Sequence, residues 1–121
     1  MILKIPGELP DLNAYMNISR GNKFAAAKWK KTVENDLVVL IRQQGLKPVK
    51  KYPVSIIYDW HCKDRRKDKR NISFGAKFVE DALQKAGIIR NDGWKELTDP
   101  EDNFYVEKWK PCIIVTIEER L

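Results

Sequence analysis

The run from Val54 to Cys62 constrains this chain more than any other feature. Val54, Ile56, Tyr58, Trp60 and Cys62 alternate with Ser55, Ile57, Asp59 and His61. A period of two marks a strand with one face on a core. Such a strand requires a sheet, and it requires a second layer against its apolar face. Two helical stripes elsewhere in the chain can supply that layer. From about Ala25 to Gln44, Trp29, Val33, Leu37, Leu40 and Ile41 recur at steps of three and four, and Gly45 closes the pattern. From about Ile72 to Ala86, Phe74, Phe78, Ala82 and Ala86 form a stripe widened by Val79 and Leu83, and Gly87 closes it.

The remaining segments complete the expectation. Ile2, Leu3 and Ile5 form a short apolar strand ended by Pro6 and Gly7. Glu8 to Asn22 contains Pro10, Asn13, Asn17 and Gly21 and reads as a long loop. Phe104–Trp109 and Cys112–Glu118 are rich in β-formers, are separated by Lys110-Pro111 and read as a terminal hairpin. The predicted architecture is α+β: a mixed β-sheet with two main helices packed on it, in a single domain spanning residues 1–121. A chain of 121 residues has room for one core.

No apolar run approaches the ~20 residues of a membrane span, and the start does not read as a signal peptide. Cys62 and Cys112, the only cysteines, sit in apolar runs and are expected to be buried thiols outside any disulfide. A reducing, cytoplasmic compartment is the expectation. His61 is the sole histidine and has no neighbouring ligand, so it is read as a surface or core residue.

The net charge is +6, which favours a polyanionic partner. The cations concentrate in Lys63-Asp64-Arg65-Arg66-Lys67-Asp68-Lys69-Arg70-Asn71, where six of nine residues are basic. Such a run is ordinarily a solvated turn. Three features point further: Asp68 stands among the cations, Lys77 and Asp81 lie one turn apart on the next helix, and Asn91-Asp92-Gly93 follows it. Phosphodiester hydrolysis uses carboxylates to hold divalent cations, which activate water and stabilise transition-state charge. Hard oxygen ligands suit Mg²⁺ or Mn²⁺. Lys63, Arg65, Arg66, Lys67, Lys69 and Arg70 would neutralise DNA phosphates around such a site.

The run Arg65-Arg66-Lys67-Asp68-Lys69-Arg70-Asn71-Ile72 resembles the R-R-x-D-x-D-N-[LI] signature of the RusA family of Holliday-junction resolvases. Lys77-Phe78-Val79-Glu80-Asp81-Ala82-Leu83-Gln84-Lys85-Ala86-Gly87 is similar to that family's K-x-x-x-D-A-L-x-x-A-G helix. Asn91-Asp92 resembles the acidic pair that follows the helix, and Pro6 to Asn13 looks like the family's opening. The likeness runs in order over nearly the whole chain. It implies a homodimeric, Mg²⁺- or Mn²⁺-dependent endonuclease that resolves four-way DNA junctions by paired nicks. It implies Asp68, Lys77 and Asp92 as catalytic residues, with Asp68 and Asp92 as metal ligands.

Two departures from the family pattern stand out. The family's second aspartate falls on Arg70, whose permanent charge cannot ligate a metal. Three outcomes stay open: Asp68 and Asp92 suffice with substrate and water, Asp81 or Asp64 stands in, or the protein binds junctions with weakened catalysis. There are also about three extra residues between Asn71 and Lys77, nearly one helical turn. A helix from Ile72 to Ala86 would be ~22 Å long. For Asp68 and Asp92 to share one metal, the chain after Gly87 must double back, or the site must be shared across a dimer.

Overall fold

The computed structural model describes residues 1–120. The alternating run forms the long strand that organises the sheet. In chain order the elements are β1 (Ile2–Pro6), α1 (Leu12–Gly21), α2 (Lys23–Gln43), β2 (Val54–Cys62), α3 (Lys69–Ser73), α4 (Ala76–Lys85), β3 (Glu101–Val106) and β4 (Cys112–Glu119). The sheet order is β1-β4-β2-β3. β4 is antiparallel to both β1 and β2, whereas β3 is parallel to β2. The chain is thus an α+β domain with a four-stranded mixed sheet packed against helices. Among the described residues, no helix is long and apolar enough to cross a membrane.

The register lines up apolar side chains in rows across the strands. Leu3 lies opposite Val115, which lies opposite Tyr58; Ile5, Ile113 and Trp60 form the next row. All six are buried, and α2 and α4 cover them with Leu37, Val38, Ile41, Phe78, Val79, Ala82 and Leu83. The alternate residues Ile57, Asp59, Ile114 and Thr116 are only half-buried, as expected for the face the helices leave open. The polar tips of the core aromatics are satisfied: Tyr58 Oη donates to Glu80 and Trp60 Nε1 to Asp102. Cys62 is buried and Cys112 half-buried, and both are free thiols.

Three expectations are corrected. First, the expected loop from Glu8 to Asn22 contains α1. Asp11 caps it by accepting from the Ala14 N–H at 2.8 Å, and Asn22 ends it while capping α2 through the N–H groups of Phe24 and Ala25. No residue of α1 is fully buried. Its apolar stripe is short, and it docks through Tyr15, which packs on Trp29 and Phe74.

Second, the helix expected over Ile72–Ala86 is broken into α3 and α4. At the break the hydrogen bonds shorten to i→i−3, from Gly75 to Ile72 and from Lys77 to Phe74. A Cβ at Gly75 would lie 3.2 Å from Leu9 and 3.3 Å from the Trp60 ring. The chain therefore passes close over the indole, where a Cβ would force Leu9 or the Trp60 ring to shift by a few tenths of an ångström.

Third, the terminal segments are not a hairpin. β4, with Ile113, Val115 and Ile117 buried, occupies an interior position between β1 and β2. The polar β3, Glu-Asp-Asn-Phe-Tyr-Val, takes the edge beside β2. Burial decides this arrangement: an apolar strand gains from neighbours on both sides, and a polar one tolerates an edge.

Candidate functional site

An open cleft of about 800 Å³ lies between α4 and the segment after it, with Ile56 and Tyr58 of β2 at its base. One wall carries Lys77 and Glu80; the other carries Asp92, Trp94, Asp99 and Asp102. The period of α4 explains the first wall. Phe78, Val79, Ala82 and Leu83 face the core, so Lys77 and Asp81 are turned away from it, with Glu80 at the margin, half-buried against Tyr58.

Lys77 Nζ lies 3.5 Å from Asp81 Oδ1 and 3.6 Å from Asp92 Oδ2. Partial burial alone would lower its pKa, but the two carboxylates outweigh that and hold the ammonium above its ordinary value. Lys77 is consequently a fixed positive charge at neutral pH, suited to neutralising a phosphate or a departing oxygen and unsuited to accepting a proton. Asp81 is shared with Lys30 of α2 at 3.2 Å, and Lys30 also reaches Glu34, which is paired with Lys85. Alternating charges thus run from Lys85 through Glu34, Lys30, Asp81 and Lys77 to Asp92. Asp81 acts within this chain as an anchor for Lys77.

From that wall, Glu80 Oε2 accepts from the Tyr58 hydroxyl at 2.9 Å. Burial pushes the Glu80 carboxyl above its usual range; the Tyr58 hydrogen bond opposes this and the nearby Asp92 charge adds to it. Burial, with Glu80 beside it, raises the Tyr58 phenol well above its ordinary value. Asp102 Oδ1 accepts from Trp60 Nε1 at 2.7 Å. Glu80 was within reach of sequence reasoning, because it lies three residues after Lys77 on the same helix. Asp102 was not, because its place depends on the parallel pairing of β2 with β3.

The sequence-derived residues divide into two groups. Lys77, Asp81 and Asp92 come together. Asp68 does not join them: it is exposed at the N-cap of α3, makes no capping hydrogen bond and does not line the cleft. Arg70 is exposed on α3. Asp64 shapes the basic turn by accepting from the Arg66 N–H at 3.0 Å. The cleft carboxylates have the oxygen chemistry for Mg²⁺ or Mn²⁺, but they do not converge. Among the described residues, no three His, Cys, Asp or Glu side chains stand close enough to hold a metal ion. Asp92 is occupied by Lys77, Glu80 by Tyr58 and Asp102 by Trp60. As arranged, these residues do not form a metal centre.

The basic segment is a rim with unequal members. Lys67 is engaged internally, 2.8 Å from Asp11. That hydrogen bond raises the Lys67 pKa; it also lowers that of Asp11, against the effect of burial. Arg66 pairs with Asp64 at 3.7 Å, a surface contact that water screens. Arg65 and Lys69 line a second groove with Phe104 and Tyr105, and Lys69 Nζ sits 5.5 Å from the Phe104 ring centroid. His61 is half-buried and stacks on Tyr105 with centroids 4.8 Å apart.

If the rim holds nucleic acid, Lys63, Arg65, Lys69 and Arg70 carry the contacts. Neutralising about four phosphates gives a log–log salt slope of roughly −3 to −4. Changing both Arg65 and Lys69 to alanine should make that slope shallower by nearly 2. Filter binding from low to moderate salt measures this, and a flat affinity would remove the rim from the interface. Compared with known proteins, the chain matches no family model and no curated protein.

Proposed function

We propose that this chain is a RusA-like endodeoxyribonuclease that resolves four-way DNA junctions as a homodimer; the Mg²⁺ or Mn²⁺ that the resemblance implies would need donors beyond those the single chain brings together, such as DNA phosphates or Asp68 of a second copy. One observation carries the reading. Lys77 and Asp92, to which the resemblance assigns a catalytic lysine and a catalytic aspartate, are far apart in sequence and meet at 3.6 Å in an open cleft. The fixed ammonium of Lys77 stabilises charge that builds on a phosphodiester during cleavage. Asp92 and Asp81 hold it in place. The cationic rim positions the DNA backbone and carries no sequence information of its own.

A labelled four-way junction, incubated with and without Mn²⁺, tests the reading. Symmetric paired nicks with Mn²⁺ and none without it are expected. A linear duplex of the same sequence should remain intact. Junction binding without product at any Mn²⁺ concentration would favour the second reading, a junction-binding protein with weakened catalysis. A specific observation favours that alternative: Arg70 stands where the family has an aspartate, and Asp68 is outside the cleft. Arg70→Asp separates the two. If the chain is a nuclease handicapped by this cation, the variant cuts at lower Mn²⁺ and binds the junction more weakly in EDTA. An inactive, folded Arg70→Asp would instead assign Arg70 a part in cutting.

A further inference from the structure

The helices cover one face of the sheet and leave the other open. Lys4, Ile114, Asp59 and Asn103 form the middle row of that open face, running from β1 through β4 and β2 to β3. Ile2 and Ile57 belong to the row on one side of it, and Pro6 and Tyr105 to the row on the other. Ile2 is 61% exposed and Tyr105 48%, and with the half-buried Ile57 and Ile114 they make the face largely apolar. Its charges are divided across it. Lys4 stands on β1, whereas Asp59 and Glu101 stand on β2 and β3. Among the described residues, neither Lys4 nor Asp59 forms a salt bridge. Asp59 Oδ1 accepts only from Asn103 Nδ2, at 3.1 Å. The outer edge of β1 is closed to a further strand beside Lys4. There the Gln44 side chain accepts from the Lys4 N–H at 2.9 Å and donates to its carbonyl at 2.7 Å.

We propose that the open face is the interface of a two-fold dimer, with β1 of each copy lying over β3 of the other and Lys4 of each paired with the partner's Asp59. This takes up the homodimer part of the reading above and rests on that part alone. The division of charge makes the face complementary to itself. A dyad parallel to the strands, in the plane between two such faces, sets β1 over β3 and β4 over β2, as in an aligned sandwich. Lys4 then meets the half of the partner that carries Asp59, and two equivalent ion pairs form around an apolar centre. A dyad along the middle row would instead set Lys4 on Lys4 and Asp59 on Asp59. One lysine against two carboxylates also makes this face unsuited to DNA phosphates. Four strands about 4.8 Å apart, five residues deep at β1, present on the order of 400 Å² in projection. The side chains standing on the sheet add to that, which places the contact among small, reversible interfaces. The cleft lies on the helix side of the sheet, so this pairing leaves both clefts open.

Sedimentation of the DNA-free protein across the micromolar range tests the interface, with circular dichroism to establish that each variant is folded. The wild type should dimerise. Lys4→Glu and Asp59→Lys should each weaken self-association about tenfold or more, because each sets like charges together twice. An equimolar mixture of the two variants should regain a dimer close to wild-type affinity, since both cross-copy pairs are then attractive. A Lys4–Asp59 contact within one chain cannot produce that rescue. Tyr105→Glu changes an exposed side chain of the same face and should weaken the dimer as well; it decides the matter if Asp59→Lys does not fold. Dimers of Lys4→Glu and Tyr105→Glu as tight as wild type overturn this face and leave the homodimer reading standing. Weakened single variants that do not rescue one another overturn the β1-over-β3 pairing. A wild type monomeric throughout overturns the interface and the homodimer together. Junction nicking with Mn²⁺, measured on the same wild-type sample, keeps the nuclease reading separate: a dimer that does not nick overturns that reading and leaves the interface.

Discussion

Asp92→Asn is expected to abolish junction nicking while leaving junction binding at or above the wild-type level. Asp92 is one of two carboxylates that hold Lys77, and it is the one that lines the cleft. The amide keeps the size of the side chain and removes its charge. Lys77 is then drawn toward Asp81 alone, and the cleft loses a negative charge that repels phosphate. Losing one preorganised charged group typically costs about 10²–10³ in rate, so single-turnover nicking should fall at least that far. Asp68→Asn is the informative companion. An equal loss there would show that Asp68, exposed and outside the cleft in the single chain, reaches the scissile phosphate from a second copy or on DNA binding. Wild-type cutting by Asp68→Asn would remove it from the catalytic set. Wild-type cutting by Asp92→Asn would remove the cleft from consideration.

Trp60→Ala should be the most destabilising single change in the chain. Trp60 is 2% exposed, lies in the row between Ile113 and Phe104, stacks on Tyr58 and forms the surface over which Gly75 passes. Truncating a buried tryptophan typically costs about 3–5 kcal/mol, against a total stability of about 5–15 kcal/mol for a domain of this kind. The Asp102 carboxylate also loses its indole donor. Urea denaturation should show the midpoint falling by a third or more, with Trp60→Phe intermediate. A loss below about 1 kcal/mol, small by the standard of buried aromatic truncations, would show that the core is not organised around this side chain.

The comparison of sequence with structure follows the range over which each signal acts. β2 was legible to the residue, because alternation is local and its apolar face is buried along its whole length. Both main helices were legible from their stripes, and Gly45 and Gly87 do end them with positive φ. α1 was missed because its asparagines and glycine resemble a loop, yet Asp11 followed by Leu12, Tyr15 and Ile18 is a capped, spaced pattern. The break at Gly75 was missed because the close packing of Gly75 on Leu9 and the Trp60 ring is a tertiary contact that the helical stripe does not encode. It falls in the stretch between Asn71 and Lys77, where this chain carries about three residues more than the family pattern. The resemblance placed Asp68, Lys77 and Asp92 in one set, and in the single chain Lys77 and Asp92 lie 3.6 Å apart. The convergence of Asp68 with them is absent in the single chain.

The interior position of β4 has a consequence for the order in which the protein is made. β1 pairs only with β4, Ile2 lying opposite Thr116, and β2 needs β4 to complete its other edge. During synthesis β1 must therefore wait for about a hundred residues, on the order of 5–20 seconds at ordinary ribosome speeds. In that interval Leu3 and Ile5, and one edge of β2, have no strand beside them. The helices α2 and α4 can meet early, because their contact needs no strand from the far end of the chain. The sheet can close only when its last strand is inserted between two that were made long before, so closure is a late, non-local and concerted event.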